Sequence, residues 1–208
     1  MLLAELVDAS TRVAATRSRK VKLAVLAEVL SRAGAEEAGP AAAFLAGQLR
    51  QGRVGIGWAL LSALAPDPAT TPTLTVLDVD QAMTTLAGLG GPGSAGARTT
   101  TLTTLFGRAT EAEADFLRRL ILGDLRQGAL ESLVTDALAA AVRVPAEVVR
   151  RAVMLVGDLS RVAETAVTDG GAALSAIGLQ VLRPVQSHAG GHGGGRGRGH
   201  RGVRAVVG

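Results

Sequence analysis

The chain has 208 residues, 48% of them apolar, which suffices for one substantial core and is too apolar for a disordered protein. It has no Cys, no Tyr, one Trp and three Phe. That excludes disulfide scaffolds, thiolate metal sites and cysteine nucleophiles, and nearly excludes nucleic-acid recognition by stacked aromatics. The formal charge of +4 comes from segment 187–208, where Arg196, Arg198, Arg201 and Arg204 face no acid, leaving 18 basic and 18 acidic residues before it. No apolar run approaches the roughly 18 residues of a membrane span. Glu5 comes too early for a secretory signal, so a cytoplasmic, membrane-free protein is expected.

Helical periodicity dominates from the start. Helices are predicted over residues 2–15 and 18–33; in the second, Leu23, Leu26, Ala27 and Leu30 recur at helical spacing between polar residues. Residues 40–49, 58–64, 79–89 and 95–109 follow. Thr110 with Glu113 forms a capping-box pattern ahead of Phe116, Leu117, Leu120 and Ile121. Residues 129–141 come next, then a helix with Pro145 in its first turn and Val148, Val149, Ala152, Val153 and Val156 inward. Residues 158–167 complete the series. About ten helices on short connections make an all-α domain. Strand-like alternation is confined to 179–182. A proline-rich linker at 66–72 divides a front half from a back half, and the Gly/Arg/His-rich tail at 187–208 is expected to be disordered. The domain is therefore placed at 1–186.

Three connections share one plan of glycines beside a basic or hydroxyl residue, followed by a helix. They are Gly52-Arg53-Val54-Gly55-Ile56-Gly57, Gly90-Gly91-Pro92-Gly93-Ser94-Ala95-Gly96-Ala97-Arg98 and Gly123-Asp124-Leu125-Arg126-Gln127-Gly128. A glycine turn lets backbone N–H groups face a phosphate, and the next helix adds its positive end. Arg adds a charge-assisted contact. Any one such glycine can equally be a helix C-cap; three loops together favour nucleic-acid backbone binding. The run Arg17-Ser18-Arg19-Lys20-Val21-Lys22 puts positive charge at a helix start, where it opposes the macrodipole unless an anion sits there. A solvated helix face is the alternative.

No catalytic constellation is legible. All three His lie in the tail, so Ser-His-Asp chemistry and His metal sites are excluded from the body. The Gly55-Ile56-Gly57 triplet lacks a preceding strand and the rest of a dinucleotide fingerprint. The carboxylates are scattered beside Arg, as in surface pairs.

From Ser18 to Gln186 the chain resembles the N-terminal DNA-binding domain of ATP-dependent DNA ligases, particularly actinobacterial ones. The segments that carry the resemblance are Ser18-Arg19-Lys20-Val21-Lys22-Leu23-Ala24-Val25-Leu26, Gly55-Ile56-Gly57-Trp58, Gly123-Asp124-Leu125-Arg126-Gln127-Gly128-Ala129, Val149-Arg150-Arg151-Ala152, Gly157-Asp158-Leu159 with Val162-Ala163, and Leu182-Arg183-Pro184-Val185. The resemblance implies an all-helical domain with an approximate internal duplication that grips nicked duplex DNA by its phosphates, with little sequence readout, in repair, replication or recombination. It implies a monomer associated with the nucleoid. The candidate contacts are Ser18, Arg19, Lys20, Lys22, Arg53, Gly55, Gly57, Gly93, Ser94, Arg98, Arg126, Gln127 and Gly128. A ligase also needs a Lys in a K-x-D-G motif that attacks ATP, with Mg. Lys20 and Lys22 are the only lysines and stand in no such motif, so neither ATP nor metal is expected here and the chain alone is expected not to ligate. The competing expectation is a helical protein-interaction or regulatory scaffold with no DNA role.

The tail carries one further expectation. In such ligases Arg-Pro-Val-x runs into Pro-Met-Leu-Ala, whereas Gln186 is followed by Ser187-His188-Ala189-Gly190. A one-base forward shift after Gln186 permits that tetrapeptide with allowed codons, so the tail is expected to be a frameshift product.

Overall fold

The computed structural model describes residues 1–64, 66–125 and 128–177. Among them are eleven helices: α1 (Leu3–Ala15), α2 (Arg19–Leu30), α3 (Ala35–Leu45), α4 (Trp58–Ala63), α5 (Val76–Gly88), α6 (Ser94–Gly107), α7 (Glu111–Leu122), α8 (Gly128–Ala141), α9 (Ala146–Val156), α10 (Leu159–Thr168) and α11 (Gly170–Ala176). No strand occurs among the described residues; the extended pairing is a single antiparallel bridge of Leu2 with Thr75. The all-α expectation holds. The alternation at 179–182, the boundary at 186, the tail, Arg126 and Gln127 lie outside the described residues.

α3 is the centre of the molecule. Its residues from Ala38 to Leu45 are all buried, and it packs on α1, α2, α5, α8 and most extensively on α10. The run is built mostly from Ala and Gly because neighbouring backbones come close. A Cβ on Gly39 would stand 2.7 Å from Ser160 Oγ and 2.8 Å from Glu164 Cγ, inside any contact a real side chain tolerates. α2 lies against α8, α1 against α2 and α7, and α9 against α8 and α10. The proline-rich linker therefore does not separate the chain into halves that fold apart. Helices before it pack against helices after it, and Ala69 N–H within it bonds the carbonyl of Ala109 at 2.9 Å.

Local chemistry explains most boundaries. Thr75 and Thr110 each cap the following helix, and Asp78 and Glu113 reach back to the cap N–H groups. Gly123 and Gly157 end α7 and α9 in the left-handed conformation, so in the third glycine connection the first glycine is a helix cap. Three sequence expectations need correction. α3 begins at Ala35 rather than at Pro40, because Glu37 accepts the N–H of Gly34 at 3.1 Å and starts the helix one turn earlier. Pro145 stands just before α9 as its N-cap. α11 has no counterpart among the predicted helices, since two glycines at its start read as a break.

Arg50, just beyond α3, ties α5 and α10 together. It donates Nε and Nη2 to Asp80 at 2.9 and 2.5 Å, and Nη1 to Glu164 at 2.8 Å. Asp80 is buried, and its hydrogen bonds raise the Arg50 pKa against the opposing effect of burial.

Two carboxylates set the acid limit of the fold. Glu37 is held below its ordinary value of 4.5, first by its hydrogen bond from the Met1 ammonium and then by the Gly34 N–H, against the effect of burial. Asp78 is held below 3.8 chiefly by the Thr75 backbone N–H, and further by Arg108 and the Thr75 hydroxyl, again against burial. A carboxylate whose folded pKa is depressed stabilises the fold above its unfolded value, and that contribution disappears as pH falls through the folded one. Urea midpoints are therefore expected to be flat from pH 7 to 5 and to drop below about pH 4. In Asp78→Asn the drop should be shallower. A midpoint no lower at pH 3 than at pH 7 would contradict both assignments.

Candidate nucleic-acid interface

The predicted contact residues among those described, Gly128 apart, fall into two clusters. The first joins two of the glycine connections through Arg98, on the second turn of α6. Arg98 Nη1 donates to the carbonyls of Val54 and Gly55 at 2.8 and 3.2 Å, and Nη2 to that of Leu89 at 2.6 Å. Connection 52–57 is thereby held against the end of α5 and the start of α6. Gly55 serves this approach in two ways. Its φ of 69° lies in the left-handed region, and a Cβ there would come within 2.9 Å of Arg98 Nη1.

Around this clamp Arg53, Gly57 and Gly93 are exposed and Ser94 is half-buried. Arg53 is exposed, with no acidic partner within 4 Å among the described residues. Gly57 is the extended N-cap of α4, and Gly93 is the left-handed N-cap of α6. No side chain caps α6 and no acid lies in its first turn, which begins at Ser94. Trp58 follows Gly57 with its side chain 65% exposed. It is absent from the predicted contacts.

The second cluster surrounds the start of α2. Ser18 Oγ accepts the N–H of Val21, and Arg19, Lys20 and Lys22 follow in a first turn that contains no acid. Lys20 is exposed and Lys22 half-buried. Arg19 reaches across to α8, where its Nη2 donates to Asp136 Oδ2 at 2.7 Å. Arg150 on α9 donates Nε to Asp136 Oδ1, also at 2.7 Å. Gly128 begins the same α8. Asp136 and Arg150 are not among the predicted contacts. Asp136 could have been found as a lone acid inside the buried run Leu133-Val134-Thr135-Asp136-Ala137-Leu138, since such an acid must have a cationic partner. No hydrogen bond or ion pair among the described residues joins the two clusters.

A contrast in helix starts sets these clusters apart. Of the described helices longer than seven residues, α1, α3, α5, α7, α8 and α9 carry an acid in the first turn, and α10 is capped by Asp158. Only α2 and α6 have neither. These are the helix starts an anion can approach without repulsion. No described helix is long and apolar enough to cross a membrane, and no group of three or more metal-ligating side chains occurs among the described residues.

Comparison with known proteins points to DNA ligases. Residues 62–139 match a family model described as DNA ligase N terminus. The chain is 50% identical over 186 residues to a probable DNA ligase of Rhodococcus jostii and, over the same length, to one of Saccharopolyspora erythraea. It is 49% identical to a probable DNA ligase of Streptomyces griseus. Each alignment covers 89% of this chain but 36–37% of the relative, so the chain spans little more than a third of the length of these proteins. By this similarity the chain is related to the N-terminal part of DNA ligases.

Proposed function

We propose that the chain grips nicked duplex DNA by its phosphates, with little sequence preference, as the DNA-holding part of a DNA ligase. The observation that carries the reading is the pair of acid-free helix starts at α2 and α6, with cations in the first turn of α2 and with glycine turns and the exposed Arg53 beside α6. Basic residues in a first turn oppose the macrodipole by about 0.3–1 kcal/mol each. A fold that places acids at its other long helix starts but cations at α2 is arranged for an incoming anion there. Between them the two clusters offer guanidinium, ammonium and backbone N–H donors, which position a phosphate chain and carry no base code. The neutral body makes this a local attraction rather than a whole-molecule one. Nucleotidyl transfer is assigned elsewhere in a ligase, since neither Lys20 nor Lys22 stands in a K-x-D-G motif.

Salt titration tests the reading. If about four phosphates are neutralised, log K should fall against log salt with a slope near −3.6. That is a loss of roughly 150-fold between 50 and 200 mM salt. Duplexes of unrelated sequence should give the same curve. Measurements on the full chain and on a version ending at Gln186 separate the body from the four tail arginines. A flat salt response in the shorter chain would reject DNA binding by the body.

A further inference from the structure

The meeting of Arg19 and Arg150 on Asp136 has an excess of charge that folding does not require. Asp136 is buried, with its side chain 6% exposed. A buried carboxylate must be paired, and Arg150 alone meets that need, since both its Nε and its Nη2 lie 2.7 Å from Oδ1. Arg19 adds a second guanidinium on Oδ2 at 2.7 Å, which leaves the triad with a net charge of +1. The two arginines are mostly outside, 62% and 57% exposed. An Arg has five N–H donors, and most of those on this pair have no hydrogen-bond partner among the described residues. The three residues come from three elements, α2, α8 and α9, so the arrangement depends on the tertiary fold. Elsewhere the same ingredients occur in the opposite ratio: around Arg50, Asp80 and Glu164 supply two acids for one guanidinium.

We propose that Arg19 and Arg150, fixed side by side on the buried carboxylate of Asp136, form one fork that binds a single phosphodiester of the DNA backbone, with Asp136 as its positioning residue. The inference rests on the DNA-binding reading and adds to it a site with two residues absent from the predicted contacts. Two guanidiniums tied to the two oxygens of one carboxylate are held close to each other and keep N–H donors that the carboxylate does not use, the groups that planar oxyanion recognition employs. The neighbouring start of α2, with Lys20 and no acid, places further positive potential at the same edge.

Charge alone and positioning predict opposite signs for one variant. Asp136→Asn removes a negative charge from a DNA-facing edge, so by charge alone it tightens binding. If Asp136 aligns the fork, the same substitution weakens binding about 5–10-fold. The experiment uses the full chain and a nicked duplex of fixed sequence, with affinity read by anisotropy across a salt series and folding checked by circular dichroism. Arg19→Gln and Arg150→Gln should each weaken binding about 5–10-fold, and the double variant only slightly more. The double variant should lower the salt slope by about 0.9, the value for one phosphate. A fall of about 1.8 with additive losses would mean two independent contacts and would overturn the shared fork. So would unchanged affinity in either single variant, or tighter binding by Asp136→Asn. Arg19→Lys, which keeps the charge but not the planar donors, should not restore wild-type affinity. If Asp136→Asn fails to fold, the two exposed arginines decide the matter by themselves. Absence of salt-dependent binding by the unsubstituted chain defeats the DNA-binding reading itself, which is a different result from wild-type binding with inert arginines.

Discussion

Phe44→Ala is expected to lower the unfolding free energy by about 3–5 kcal/mol, the range for removing a fully buried aromatic side chain. Phe44 is completely enclosed on α3, the helix against which α1, α2, α5, α8 and α10 all pack. Two terms add in such a replacement: the lost transfer free energy of the ring and the cavity left behind. The cavity term should be large here. The positions around Phe44 on its own helix are Ala41, Ala42, Ala43 and Ala46, whose methyl groups cannot reach into the space. Closing the gap would require moving α3, and α10 already touches it at Gly39. Against a typical total stability of 5–15 kcal/mol, the loss leaves a marginal fold. Phe44→Leu, which keeps most of the volume, should cost less than half as much. Urea denaturation followed by far-UV circular dichroism measures both. A shift of less than about 1 kcal/mol for Phe44→Ala would show that the centre of the bundle relaxes freely, contrary to its close helix contacts.

The helices are legible because their signals are local. The Thr110 and Glu113 box and the apolar spacing of α2 and α9 state their own geometry. What the sequence misplaces is decided by partners distant along the chain, or by a local signal that points the wrong way. Pro40 reads as a helix start because Pro favours a first turn. The start is set instead by Glu37 reaching back to Gly34, and Pro40 sits where its missing N–H deprives only the carbonyl of the exposed residue Glu36 of a helical partner. The glycines opening α11 read as a break, yet tertiary packing holds that helix: Leu174 is buried, and Gly171 lies so close to Val144 that a Cβ would come within 2.7 Å of its Cγ2. Gly39 looks like a weak point in a helix and is a packing contact. The candidate site divides in the same way. Glycine turns and basic runs announce themselves in sequence, whereas the partner of each arginine does not. Arg19 finds its carboxylate 117 positions away, and Arg98 its carbonyls up to 44 positions away.

The partners of Arg98 change what its replacement should do. In sequence it is one more phosphate ligand at a glycine loop; in the fold its Nη1 and Nη2 already donate to Val54, Gly55 and Leu89. Hydrogen bonds from a charged donor contribute about 1.5–3 kcal/mol each where they are buried. Arg98 is half-buried, so the three together should contribute roughly 2–4 kcal/mol to holding the two connections in place. Arg98→Ala is then expected to loosen 52–57 and 89–93 together and to weaken DNA binding by roughly 30-fold or more, since every 1.4 kcal/mol is tenfold. The salt dependence separates the two roles. A phosphate ligand takes about 0.9 of slope with it when removed, whereas a clamp whose donors face carbonyls takes little. The expected result is therefore a large loss of affinity at every salt concentration with the slope nearly unchanged. Proteolysis gives an independent reading, because loosened connections should be cut at Arg53 faster in the variant than in the parent chain. Arg98→Lys should recover little, for an ammonium cannot span three carbonyls on two segments. If the slope instead falls by about 0.9 while cleavage at Arg53 stays slow, Arg98 is a phosphate ligand and the carbonyl contacts yield to DNA.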